Sequence, residues 1–129
     1  METRRNTRAN ISVKVFLHID QDSPQKFCLS KSCDFEVDIM DISIGGIGVF
    51  SKYFLPQGLH IEVEIEGKPF GLGEPMKIKG EVRHCTYVKA AKYRCGIMFT
   101  NITEKYQKCI ADFIAVYERR EAPRYKLSE

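Results

Sequence analysis

Leu59-His60-Ile61-Glu62-Val63-Glu64-Ile65-Glu66 alternates an apolar with a polar side chain at every step. Successive side chains of an extended chain point to opposite faces, so the segment presents one apolar face and one carrying Glu62, Glu64 and Glu66. This is a half-buried strand, and its period recurs on both sides. Upstream, Leu55-Pro56-Gln57-Gly58 reads as a turn, with Pro56 presetting φ at the second position and Gly58 two residues on. Before it, Ile47 and Val49 keep the period of two. Earlier still, Phe35, Val37 and Ile39 alternate with Asp34, Glu36 and Asp38, and Ile11, Val13, Val15, Leu17 and Ile19 alternate with Ser12, Lys14, Phe16, His18 and Asp20. Downstream, Glu66-Gly67-Lys68-Pro69 turns the chain, and Gly71, Gly73 and Pro75 keep the next stretch irregular. Met76, Ile78, Gly80 and Val82 then form a strand, and Tyr93, Cys95, Ile97 and Phe99 form the last.

After residue 100 the period changes. Tyr106, Cys109, Ile110, Phe113, Ile114 and Tyr117 fall on one helical face. Asn101 is placed to cap this helix, Glu104 three residues on completes a capping-box-like pair, and Pro123 is placed to stop it. The expected fold is mainly β: a small six-stranded antiparallel barrel with a C-terminal α-helix packed on one opening. The boundaries expected are an N-terminal arm over 1–10, a barrel over 11–100, a helix over 101–120 and a tail over 121–129.

The bulk properties narrow the function. With 129 residues the chain is long enough for one domain with a real core. Its net charge of +3 is too small to make the whole molecule a polyanion binder. Local placement matters more: Arg4, Arg5, Arg8 and Lys14 face a single acid, Glu2, at the start. No apolar core of a signal peptide and no run of about 18 apolar residues occurs, so a cytoplasmic protein without membrane insertion is expected. Five cysteines (Cys28, Cys33, Cys85, Cys95 and Cys109) cannot all pair and should be thiols in a reducing compartment. Cys28, Cys33, His84 and Cys85 follow no familiar zinc-ligand order, so no metal is expected. GxSxG, HExxH and P-loop spacings are absent, which argues against catalysis.

Two short segments carry the chemistry. Arg4-Arg5-Asn6-Thr7-Arg8 reads RxxxR, and Asp41-Ile42-Ser43-Ile44-Gly45-Gly46 reads DxSxxG. Arginine forks match phosphates and the O6/N7 edge of guanine, while a carboxylate accepts hydrogen bonds from guanine N–H groups. Paired glycines inside a strand pattern mark a bulge or sharp bend and let a ligand approach the backbone. Either segment alone has a bland reading, as a solvated tail or as an Asx turn ending a strand.

Together, and in this order ahead of Tyr93-Arg94-Cys95-Gly96-Ile97-Met98-Phe99 and the terminal helix, these residues resemble the PilZ domain family of cyclic di-GMP receptors. The resemblance covers most of the chain and implies a Greek-key, split-barrel-like barrel. It also implies that Arg4 and Arg8 clamp guanines and phosphates, with Arg5 a ligand-binding candidate inside the motif but not at one of its fixed positions. Asp41, Ser43, Gly45 and Gly46 would meet a guanine on the barrel surface. Arg83, on the strand after Gly80, is a secondary candidate for stacking over a base. The activity implied is non-enzymatic: the ligand orders the N-terminal arm against the barrel and switches contact with a partner protein in motility, biofilm or exopolysaccharide control. No output module is expected within the chain, which should be a monomer or weak dimer. A PilZ-like adaptor that binds no nucleotide is the alternative. DNA or RNA binding is not expected, because the Glu62-Glu64-Glu66 face is acidic and such binding needs exposed aromatics on a basic strand face.

Overall fold

The computed structural model describes residues 13–19 and 34–128, with side chains to residue 116. Arg4, Arg5, Arg8, Cys28 and Cys33 lie outside the described residues. Six strands occur in the order β1 (Val15–Ile19), β2 (Asp34–Ile42), β3 (Gly46–Ser51), β4 (His60–Ile65), β5 (Met76–Lys89) and β6 (Lys92–Asn101). They close into an antiparallel barrel with lateral order β1-β2-β3-β6-β5-β4, followed by helix α1 (Glu104–Ser128).

Alternation decides which side chains fill the interior. Leu17 on β1 lies opposite Val63 on β4, and Val63 opposite Ile78 on β5, all fully buried. Val15, Val49, Ile65, Val82 and Cys95 complete the same interior, each side chain contributing about 1.5–3 kcal/mol by leaving water. The outward Glu62 and Glu64 lie opposite Lys79 and Lys77, so charge alternates across β4 and β5.

Helix α1 closes one opening. Ile110 is fully buried, and the Phe113 ring packs 4.5 Å from that of Phe70, which sits in the 3-10 turn Lys68–Phe70. The helical stripe read from the sequence is thus core packing for the described residues Tyr106, Cys109, Ile110, Phe113 and Ile114.

Local readings change at four points. The cap is Thr103, whose Oγ1 accepts from the Tyr106 N–H at 3.2 Å, because Asn101 is still the last residue of β6, opposite Lys79. The helical backbone continues through position 123 to Ser128; a proline removes one donor and bends a helix without having to end it. In the turn after β3, Pro56 is the first residue, its carbonyl accepts from Leu59 N–H, and Gly58 at φ 90 takes the left-handed position.

His18 is the fourth. Alternation puts it on the polar face of β1, where the structure shows that it bridges two neighbouring strands. Nδ1 lies 2.9 Å from Asp34 Oδ1 and Nε2 lies 2.7 Å from Glu64 Oε1. Burial works against the imidazolium, yet the hydrogen bonds and charges of Asp34 and Glu64 outweigh it and raise the pKa above its ordinary value.

The Cys85 and Cys95 thiols face one another across β5 and β6, with Sγ atoms 3.1 Å apart. Burial, and then the contact with Cys85, pushes the Cys95 pKa strongly upward, so this thiol behaves as a small apolar group.

Candidate functional site

The site is built by two breaks in strand alternation. Along β2, Val37 and Ile39 face inward, and strict alternation would carry Asp41 inward too. An extra residue at Met40, where the register shifts between Ile39 and Asp41, reverses the parity. Ile42 then enters the core opposite Ile47, and Asp41 turns outward opposite Gly48. On β5, Gly80 and Val82 face inward, and the register shifts again between Val82 and His84. Arg83 and His84 are both left on the outer surface, while Cys85 returns to the interior side opposite Cys95.

These two bulges frame a flat floor. Asp41 lies opposite Gly48, Gly48 opposite Gly96, and Gly96 opposite His84, so one lateral row crosses β2, β3, β6 and β5. At roughly 4.8 Å per strand the row spans about 14 Å. Its middle has no side chains, and that emptiness is used by the neighbours. A Cβ on Gly48 would stand 2.8 Å from Asp41 Oδ1. A Cβ on Gly96 would collide with the His84 imidazole, which lies across that backbone.

Beside this floor, the chain from Ser43 to Gly46 makes a tied turn. Ser43 N–H donates to the Gly46 carbonyl at 2.9 Å, and Ser43 Oγ accepts from Gly45 N–H at 3.2 Å. Phe99 N–H on β6 donates to the Gly45 carbonyl at 2.9 Å, holding the turn against the barrel. The Ser43 hydroxyl therefore shapes the turn. The two glycines differ. A Cβ on Gly46 would strike the Ile97 carbonyl of the adjacent strand, whereas one on Gly45 would meet nothing nearer than Ser43 Oγ at 4.0 Å. Neither has a positive φ, so close approach, not a special bend conformation, requires glycine at 46. Gly46 opens β3 and Gly45 sits in the bend before it, while the bulge in β2 is at Met40.

The outcome is a surface groove of about 540 Å³ whose lining includes Asp41, Ser43, Gly45, Gly46, Arg83, His84 and Arg94. The three fixed DxSxxG positions Asp41, Ser43 and Gly46, together with Gly45 and the secondary candidate Arg83, thus line one groove, with Arg4, Arg5 and Arg8 outside the described residues. Sequence reading missed His84, Arg94 and the two floor glycines. The available signal was Arg94 and Gly96 on the polar parity of β6, flanking the inward Cys95. Chemically the groove offers cations from Arg83 and Arg94, a carboxylate acceptor from Asp41 beside Gly48, and an imidazole laid over the Gly96 backbone. Among the described residues, no cluster of three His, Cys, Asp or Glu side chains is arranged to hold a metal ion.

A family model described as the PilZ domain matches residues 2–116, and the chain belongs to that family. Solved structures agree on the fold. YcgR from Escherichia coli in complex with c-di-GMP superposes with a TM-score of 0.61 at 14% identity, over 90% of this chain and 46% of YcgR. The PilZ domain of YcgR with c-di-GMP gives 0.57 at 13% identity, over 88% of both chains. The MrkH–c-di-GMP complex of K. pneumonia gives 0.59 at 17% identity, over 86% of this chain and 49% of that protein. An uncharacterized protein of Aquifex aeolicus (strain VF5) is 36% identical over 87 residues, which is 65% of this chain and 39% of that relative. The chain therefore spans about two fifths of the Aquifex relative and about half of YcgR and MrkH. No described helix is long and apolar enough to cross a membrane.

Proposed function

We propose that this chain is a non-enzymatic, cytoplasmic cyclic di-GMP receptor that binds its ligand in the groove between Asp41 and His84. The carrying observation is the convergence of the DxSxxG turn with Arg83, Arg94 and a glycine floor on one face of a PilZ barrel. Cyclic di-GMP combines two negative phosphates with two planar guanines. A site for it needs cations, a carboxylate aimed at guanine N1–H and N2–H, and a surface on which a ring can lie. Asp41 supplies the acceptor, Arg83 and Arg94 supply positive charge, and His84 forms the far wall, where an imidazole face can stack on a base. Arg4 and Arg8, with Arg5 between them, close on the ligand from the N-terminal arm. That closure changes the surface presented to a partner protein and so provides the signal, in a pathway such as motility or surface attachment.

Calorimetric titration with cyclic di-GMP, with cyclic di-AMP and GTP as controls, tests the reading. Saturable heat with cyclic di-GMP and much weaker responses from the controls are expected. A flat titration would leave the PilZ barrel as an adaptor without nucleotide and overturn the proposal.

A further inference from the structure

Beyond the nucleotide site, the barrel end formed by the β5–β6 hairpin and the loop after β3 carries an exposed aromatic surface. Tyr87 is 63% exposed, Phe54 51%, Val88 44% and Tyr53 42%. Large apolar side chains scattered singly need no explanation, but the rings of this end touch one another in two groups brought side by side by the consecutive residues Tyr53 and Phe54. The Tyr87 ring meets that of Tyr93 at 5.7 Å, and Tyr93 meets Phe54 at 6.0 Å, both edge to face. At the β2 margin, Tyr53 meets Phe35 at 5.1 Å in the same geometry. The rings hold one another in place, so the surface has a defined shape before anything docks.

The charge around this surface has one sign over most of its border. Residues 42–61 and 82–103, which supply the loop and the hairpin, contain no Asp or Glu. Lys52 follows β3, Lys89 and Lys92 flank the hairpin turn, and the Lys92 ammonium lies 4.4 Å from the Phe50 ring centroid. Asp38, opposite Phe50, and the acids beside Phe35 on β2 mark the edge where this excess ends. Continuity with the nucleotide groove is direct, because Arg94 lines that groove and pairs with both Phe50 and Thr86 across the strands.

We infer that this end of the barrel is a docking surface for an acidic segment of a partner protein bearing apolar or aromatic anchors. Tyrosine-rich patches with a charged rim suit protein recognition, in which the rings supply affinity and complementary charge supplies encounter rate and orientation. A second copy of the same surface would bring like charges together. Single-stranded nucleic acid needs ring faces open for base stacking, whereas Tyr93 is engaged by two neighbouring rings. A lipid surface favours separate insertable side chains over rings locked edge to face.

The test is a selection of random twelve-residue peptides on the full chain, followed by synthesis and titration of the strongest. Enriched peptides should combine Asp or Glu with Phe, Leu or Trp. Their affinity should fall at least about tenfold in a Phe54→Ser/Tyr87→Ser variant, and similarly in a Lys52→Glu/Lys89→Glu variant. Both variants should keep the wild-type affinity for cyclic di-GMP, which also reports that they are folded. Peptides without acidic residues, or affinities unmoved by either variant, would overturn the inference. So would phosphatidylglycerol vesicles or poly(U) binding the wild-type chain but neither variant, because the surface would then belong to lipid or nucleic acid.

Discussion

Asp41 and His84 stand at opposite ends of one cross-barrel row, with only Gly48 and Gly96 between them. Each faces outward because a bulge in its own strand reverses the parity of the chain. Backbone pairing thus sets a carboxylate and an imidazole at opposite ends of the row, each beside a shift in register.

The floor can be tested through Gly96. Replacing it with alanine drives the His84 ring off the backbone, and we expect cyclic di-GMP affinity to fall by about tenfold, read by calorimetry. The melting temperature should fall as well. In a His84→Ala background the three atoms nearest to the added methyl are removed, so Gly96→Ala should destabilise less than it does in the wild-type chain. Equal destabilisation in both backgrounds would show that the imidazole is not what the glycine accommodates.

The two glycines of the turn should behave differently. Gly46→Ala sets a Cβ against the Ile97 carbonyl and forces β3 from β6, at a cost of about 1–3 kcal/mol in chemical denaturation, with loss of ligand binding. Gly45→Ala points into open space near Ser43 Oγ and should leave stability within about 0.5 kcal/mol.

Asp41→Asn isolates guanine recognition. One carboxylate oxygen becomes a donor that faces guanine donors, so cyclic di-GMP binding should weaken by about 1–3 kcal/mol. Cyclic di-AMP, which offers no matching donor pair, should lose little. The ratio of the two constants, measured side by side, is the diagnostic quantity.

His18 makes stability depend on pH. Its pKa is raised in the folded protein by Asp34 and Glu64, so folding favours the protonated ring. The stabilisation is fully present below the ordinary imidazole pKa of about 6.5 and is lost as pH rises through the folded value. Thermal melts of wild type and His18→Gln should therefore differ most near pH 5.5 and converge toward pH 8.5. A gap that widened with pH would contradict the bridge.

Removing the side chain of Ile110 should loosen the helix over the barrel opening. Ile110→Ala creates a cavity beneath α1 and should cost about 2–5 kcal/mol of stability. Because the groove lies on the outer wall of β2, β3, β5 and β6, nucleotide affinity below the melting transition should stay near wild type.

Much of this architecture follows from the sequence itself. Period-two runs such as Leu59 to Ile65 mark strands that hide one face, and the stripe from Tyr106 to Tyr117 marks a helix that must cover something; both follow from which atoms avoid water. The DxSxxG turn was legible for a related reason, since a short tied loop is specified by the residues that make it. Other features depend on partners distant in the chain. Asn101 and Thr103 compete to start the helix, and the reach of β6 decides between them. His18 appeared exposed until β2 and β4 brought Asp34 and Glu64 to its two nitrogens.

Local alternation and turn chemistry therefore specified a small barrel capped by a helix, with Asp41 near a bend. Whether Asp41 faces water or the core was left to Met40, and the same holds for His84 and the bulge before it. A bulge is a mismatch between two paired strands, so it becomes defined only when closure of the barrel settles the register. Tertiary structure alone turned those two side chains outward and laid two glycines between them.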